Sequence, residues 1–256
     1  MRRRCAARSS AAVARRSCRT TRRSSGSSAV YRVCRRIRAC SPELRRAVAD
    51  PLVEPEDLAP ICKRDMALAA KVLQIANTAH FRAGDAATSS IPAAIAMLGS
   101  DIMRTLAESE MVSEPTGMAA KLIDQLQREA VEAANHARRA CADPARAEEA
   151  YTAGLLHDIG RLVLAHELDD AYHAVLDACA RSGSPLHEVE KELLGVTHQA
   201  VGAHLLGIWA LPAELAEACE RHHDPRALPT ANATLVSAVQ AAATDPASYA
   251  TSRAAS

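Results

Sequence analysis

An all-α fold is predicted by three features of this sequence. Hydrophobic residues make up 48% of the 256 positions but aromatics only 2%, so Ala, Leu, Val and Ile must build the interior. Ala and Leu are strong helix formers, and β-branched runs are scarce. From Ser41 onward, apolar residues recur at helical spacing. The length suffices for a substantial core.

The elements follow in order. "SPELRRAVADP" opens with a Ser-Pro helix start. "EPEDLAPICKRDMALAAKVLQIANTAHF" places Leu58, Ile61 and Cys62, then Ala69, Val72, Leu73 and Ala76, on helical faces. "RAGDAATSS" reads as a loop. "IPAAIAMLGSDIMRTLAES" is predicted as one helical run with Ile95, Leu98, Ile102 and Leu106 on its buried row. "EPTG" at 114–117 is the best internal boundary. Helices are then predicted over 118–142, 147–166, 168–181 and 186–208, closed by a pair at 212–223 and about 231–243. The division is a tail over 1–40, helical parts over 41–117 and 118–243, and a frayed tail over 244–256. No internal repeat and no Gly-rich phosphate loop is present.

Charge is sharply divided. Residues 1–46 hold 15 arginines against one acid, Glu43, a net +14, whereas the remainder holds 16 bases and 29 acids, a net −13. The Arg/Ser/Ala-rich start cannot bury enough apolar surface to offset its ordering entropy, so disorder is expected to about Ala39. Such a segment suits polyanion binding, has the composition of an organelle transit peptide, or folds back on the acidic body. The plain alternative is a solvated tail or a misplaced translation start. Stacking on nucleic-acid bases would call for more aromatics than its one, Tyr31.

Eight scattered cysteines without a C-x-x-C pair argue against a zinc knuckle, and free thiols in a reducing cytosol are expected. No apolar run approaches the roughly 18–20 residues needed to span a bilayer. A cytoplasmic protein is the expectation.

"AYTAGLLHDIGRLVLAH" places His157 and Asp158 inside an apolar run, where a carboxylate is costly to bury unless paired or metal-bound. On a continuous helix at about 100° per residue, Leu155, Leu156, Ile159, Leu162 and Val163 form one stripe, and His157, Asp158 and Arg161 share another wedge. That wedge faces either solvent, as a weak surface network, or a site. In "GVTHQAVGAHLLGIWALP", His198 shares an inward row with Val201, Leu205 and Ile208. In "LPAELAEACERHHDP", His222 follows Leu215 and Cys219, with His223 beside it. Each histidine alone is an ordinary core residue. Together they read as a collapsed metal cluster of a kind suited to Fe, Mn, Zn or Ni. His136, His166, His173 and His187 read as surface or capping residues.

Four ordered blocks, "RDMALAAKVLQIANTAHF", "SSIPAAIAMLGSDIMRTL", "AYTAGLLHDIGRLVLAH" and "GVTHQAVGAHLLGIWALPAELAEACERHH", resemble the HDOD domain. That family belongs to the His-Asp phosphohydrolase superfamily and is related to the HD-GYP cyclic-di-GMP phosphodiesterases. The resemblance spans roughly 42–243. It implies an all-α bacterial signalling module, generally without demonstrated hydrolase activity, often beside response-regulator or cyclic-nucleotide domains. No such neighbour is seen here, so the signal is expected to arrive by binding or association.

The catalytic relatives use an upstream histidine, the His-Asp pair, a histidine in an H-x-x-x-G turn, a His-His pair and a late aspartate. By that resemblance, His157, Asp158, His198 (with Gly202), His222 and His223 are retained as metal-ligand candidates. The upstream position instead reads "LQREAVE", with Arg128 and Glu129, and His136 would need a shortened connection. The late aspartate corresponds to Gln240, and Arg161 stands where a lysine is usual. The G-Y-P signature is absent. Arg128 puts a cation near the metal position and Gln240 removes an anion, so Arg128 is expected to pair with Asp158 in a vestigial site. No catalytic residue and no cofactor is then expected; a working site would take divalent Fe, Mn or Zn. The leading function is a non-catalytic regulatory module binding a signalling protein or small-molecule signal, with homo-oligomerisation open. The alternative is a residual metal-dependent phosphohydrolase acting on a nucleotide or cyclic dinucleotide. A third is nucleic-acid binding by the Arg-rich tail, with steep salt dependence.

Overall fold

The computed structural model describes residues 42–81, 87–109, 118–224 and 233–243. The Arg-rich tail, the "EPTG" boundary, part of the "RAGDAATSS" loop and the final tail lie outside them. All regular structure among the described residues is helical, as predicted. Three short helices lead: α1 (Pro42–Val48), α2 (Pro55–Cys62) and α3 (Met66–Ala76). Asp65 caps α3, its carboxylate accepting from the Ala67 and Leu68 N–H groups at 2.9 and 3.0 Å. The Asn77 side chain then bridges the Thr88 N–H and C=O at 2.7 and 2.9 Å, tying the end of α3 to the start of α4 (Ile91–Ser109).

The predicted single run over α4 is corrected. Gly99 adopts φ +73°, which L side chains rarely adopt, and the helix kinks there. The kink resets the helical phase. Ile91, Ala94, Ile95 and Leu98 are buried before it, but Met103, Leu106 and Ala107 after it, so Ile102 is only half-buried.

The long α5 (Met118–Ala140) packs against α6 (Ala147–Leu156) through small residues. A Cβ on Gly154 would lie 2.8 Å from the Ala134 Cα, which shows how closely the two backbones approach. Polar bonds join this pair to the leading helices: Tyr151 Oη donates to the Lys63 carbonyl and the Met66 N–H donates to Gln127 Oε1, both at 2.9 Å. The remaining helices are α7 (Ile159–Leu168), α8 (Asp170–Ser182), α9 (Leu186–Leu194), α10 (His198–Ile208), α11 (Ala213–Arg221) and α12 (Ala233–Ala242).

Two predicted helices are thereby split. The 147–166 run breaks at His157–Asp158, and the 186–208 run breaks at Gly195, whose φ of +79° ends α9 before Thr197 caps α10. One contiguous core runs from Leu44 through Leu73, Ile95 and Leu155 to Val239. A smaller cluster, including Leu164, Tyr172, Val175, Leu186, Val189 and Leu194, lies among the end of α7, α8 and α9. Of the described cysteines, Cys62, Cys179 and Cys219 are buried and all are free thiols. Burial, reinforced by Asp65, pushes the Cys62 thiol up to about 12. No helix among the described residues is long and apolar enough to cross a membrane.

Candidate metal centre

The site is assembled by a backbone crossing. A Cβ on Gly160 would lie 1.9 Å from the His198 carbonyl oxygen and 2.8 Å from the Gly202 nitrogen, so α7 and α10 touch main chain to main chain. Against Gly202 also lies Cys219 of α11, whose thiol donates to the His157 carbonyl at 3.0 Å. Three helices are pinned together around the turn between α6 and α7. That turn explains the correction to 147–166. Instead of a continuous helix with a polar wedge pointing away, the break turns His157, Asp158 and Arg161 inward, and every residue over 150–165 is buried. The solvent-facing reading of the wedge is excluded, since Asp158 is 5% and Arg161 1% exposed.

All five predicted side chains meet here. His157 Nδ1 lies 2.7 Å from the Gly154 carbonyl, His222 Nδ1 2.7 Å from the Cys219 carbonyl, and His198 Nδ1 2.7 Å from Glu190 Oε2. A carbonyl or carboxylate only accepts, so each Nδ1 donates, and in the neutral ring Nε2 carries the lone pair. Those lone pairs converge. His198 Nε2 is 3.3 Å from His222 Nε2, and Asp158 Oδ1 is 3.4 and 3.5 Å from the two. His157 Nε2 is 3.6 Å from Asp158 Oδ2. His223, half-buried, packs on His222 with ring centroids 4.1 Å apart. Two sets of potential ligand atoms result, His198–His222–His223 and His157–Asp158–His222, each within 4.8 Å.

The donor set fits a divalent cation. Asp158 Oδ1 is buried without a hydrogen bond. Facing lone pairs beside a carboxylate oxygen repel one another unless a positive charge lies between them. The Nδ1 bonds to carbonyl and carboxylate oxygens are those that orient imidazole ligands.

Charge in the site follows from burial opposed by neighbours. Desolvation pushes the Asp158 carboxyl up, but His157, Arg161, His222 and His198 together hold it well below the usual carboxylate range. Burial, opposed by Asp158 and aided by His157, lowers His222 to about 4. Burial and the rings of His222 and His198 lower His223 to about 2. Between about pH 4 and 6.5 the unfolded chain therefore takes up a proton at residue 222 that the folded chain refuses. The stability His222 contributes is complete above about 6.5 and declines to about 4, roughly 3 kcal/mol from this ring alone. Melting temperature should fall steadily across that window in the metal-free protein; a flat profile would contradict the burial of this ring.

Arg128 does not pair with Asp158. It is exposed on α5, and Arg161 supplies the guanidinium, its Nη1 lying 2.8 Å from Asp158 Oδ2 and 3.2 Å from Glu129 Oε2. The charge expected from α5 arises instead three residues beyond Asp158, because the turn and the first turn of α7 bring residues 158 and 161 onto one side. Gln240 takes no part in the ring. Its amide donates to the Arg221 and Asp224 carbonyls at 3.0 and 2.5 Å, bracketing the turn that bears His222 and His223. His136 is exposed, and His173 Nδ1 donates to the Asp169 carbonyl at 3.0 Å without capping the helix. His187 is not an isolated surface ring but stacks on His223 at 4.8 Å. Ile208, predicted inward with His198, is 47% exposed because α10 ends there.

Two partners escaped the sequence reading. Glu190 is fully buried, with Oε2 accepting also from the His198 N–H at 2.8 Å and Oε1 from Tyr172 Oη at 2.9 Å. Its signal was present: Leu186, Val189, Glu190 and Leu194 fall at helical spacing, an acid on an apolar row.

The chain resembles several solved structures. It aligns with the MmoQ response regulator (fragment 20–298) of Methylococcus capsulatus str. Bath at 21% identity and TM-score 0.66, covering 86% of this chain and 90% of that one. A virulence factor from Campylobacter jejuni subsp. jejuni aligns at 18% identity and TM-score 0.63, covering 78% and 76%. These likenesses establish the fold. A protein of Treponema pallidum (strain Nichols), described as uncharacterized, is 24% identical over 201 residues, 77% of this chain but only 39% of the relative's length. The HDOD-domain model matches residues 36–225, ending just past the paired histidines and short of α12, and this chain belongs to the HDOD domain family.

Proposed function

We propose that this chain is a signal-transduction module that acts by binding a partner protein or small-molecule signal rather than by hydrolysing a phosphodiester. Its His/Asp centre takes a single divalent cation of the Fe, Mn or Zn class. The observation that carries this reading is the bond from Arg161 to Asp158 Oδ2. A two-ion hydrolytic site places its ions about 3.5–4 Å apart to clamp the attacking and leaving oxygens. A carboxylate that spans two ions with one oxygen on each commits both oxygens, and here one is committed to a guanidinium that Glu129 also holds. Gln240, which by the family resemblance stands where a late aspartate would supply a further anion, donates to backbone carbonyls instead.

What remains is one cation's worth of donors: the histidine rings and Asp158 Oδ1. This replaces the vestigial, metal-free expectation, because the guanidinium neutralises only one face of the carboxylate. The test is hydrolysis of bis(p-nitrophenyl) phosphate by purified protein with added Mn²⁺. Turnover no greater than the metal blank is expected.

A second reading, a residual phosphohydrolase acting on a nucleotide or cyclic dinucleotide, is favoured by the unpartnered Asp158 Oδ1. A bound divalent cation would lower the pKa of a coordinated water and polarise a phosphoryl oxygen. Turnover abolished by Asp158→Ala would establish that reading and overturn the first.

A further inference from the structure

Glu190 is a carboxylate with no access to water, on a helix whose other buried residues are apolar. Burying such a group costs several kcal/mol unless its oxygens are satisfied. Here Oε2 accepts from both the N–H and the Nδ1–H of His198, and Oε1 accepts from Tyr172 Oη. The arrangement fixes the tautomer of His198, directs its Nε2 lone pair at Asp158 and His222, and increases the electron density available there.

Glu190 does not belong to the main core. It sits on α9, which with α8 and the end of α7 encloses the separate cluster of Tyr172, Val175, Leu186 and Val189. The α8–α9 hairpin therefore reaches the histidine centre through the buried polar line Tyr172–Glu190–His198, beside the His187 ring stacked on His223.

We propose that Glu190 is the positioning carboxylate of the centre, so that cation affinity at His198 and docking of the α8–α9 hairpin are a single coupled equilibrium. This rests on the one-cation reading above and supplies it with an output surface. A cation on Nε2 makes the Nδ1–H a stronger donor, which strengthens a charge-assisted bond to the hairpin. By linkage, whatever holds the hairpin in place tightens cation binding by the same factor.

The experiment uses the full chain with Co²⁺, read by calorimetry and by amide hydrogen exchange. The wild type should bind Co²⁺ and gain exchange protection across residues 170–194. Glu190→Gln should weaken Co²⁺ binding roughly 10- to 100-fold and abolish the gain in protection at saturating Co²⁺. Tyr172→Phe, which keeps the packing and removes only the hydroxyl, should weaken binding by less, and it carries the test alone if Glu190→Gln does not fold. A hairpin indifferent to Co²⁺ in a wild type that binds it overturns this inference while leaving the one-cation reading intact. So does wild-type affinity in both variants, or in Tyr172→Phe alone where Glu190→Gln fails to fold. A wild type that binds no Co²⁺ overturns the reading and the inference with it.

Discussion

Gly160→Ala is expected to destabilise the protein by more than about 3 kcal/mol and to disperse the histidine centre in the same step. The added methyl would lie 1.9 Å from the His198 carbonyl oxygen and 2.8 Å from the Gly202 nitrogen, and neither is a side-chain end that could swing aside. Relief requires α7 and α10 to separate. That movement carries His198 away from Asp158. The matched control is Gly207→Ala on α10, where a Cβ meets nothing within 4 Å. That substitution should be neutral or stabilising by up to about 1 kcal/mol from helix propensity. Urea denaturation of the two variants beside the wild type checks the pair. Similar midpoints would show that the crossing tolerates a side chain after all.

Arg161→Met should be nearly as damaging, for an electrostatic reason. Removing one member of a buried ion pair leaves the other uncompensated, at a cost of about 3–5 kcal/mol. Asp158 is 5% exposed and Arg161 1%, so water cannot take over the solvation of the carboxylate. Two outcomes separate this from a simple packing defect. Arg161→Met with Asp158→Asn should be more stable than Arg161→Met alone, because the orphaned charge is gone. Saturating Mn²⁺ should also restore part of the lost stability of the single variant, since a cation bound at the histidines supplies the positive charge that the guanidinium gave. If the double variant melts lower than Arg161→Met, the buried charge is not what Arg161 compensates.

The first prediction rests on a contact between helices and the second on a turn that breaks a helix, and both are places where the sequence became hard to read. Periodicity correctly placed His198 and His222 on inward rows, because each shares a row with apolar neighbours and burial follows the row. The same method misjudged 147–166. A helical wheel assumes one continuous phase, and the turn at His157–Asp158 breaks it, as Gly99 breaks the phase in α4 and Gly195 separates α9 from α10. Arg161 stands three residues from Asp158, a spacing that pairs charges locally, whereas the exposure of Arg128 depends on which side of α5 faces α7, and only packing decides that.

The sequence by itself determined the helical class, the inward histidines and the His-Asp pair, because composition, spacing and residue identity are local properties of a chain. Only the tertiary structure decided that a guanidinium holds one oxygen of Asp158 while the other stays open, and that a buried acid on a separate hairpin aims His198. Those facts depend on the turn at His157–Asp158 and on how consecutive helices pack so that Asp158, Arg161, Glu190 and His198 are all buried, and neither has a period to read.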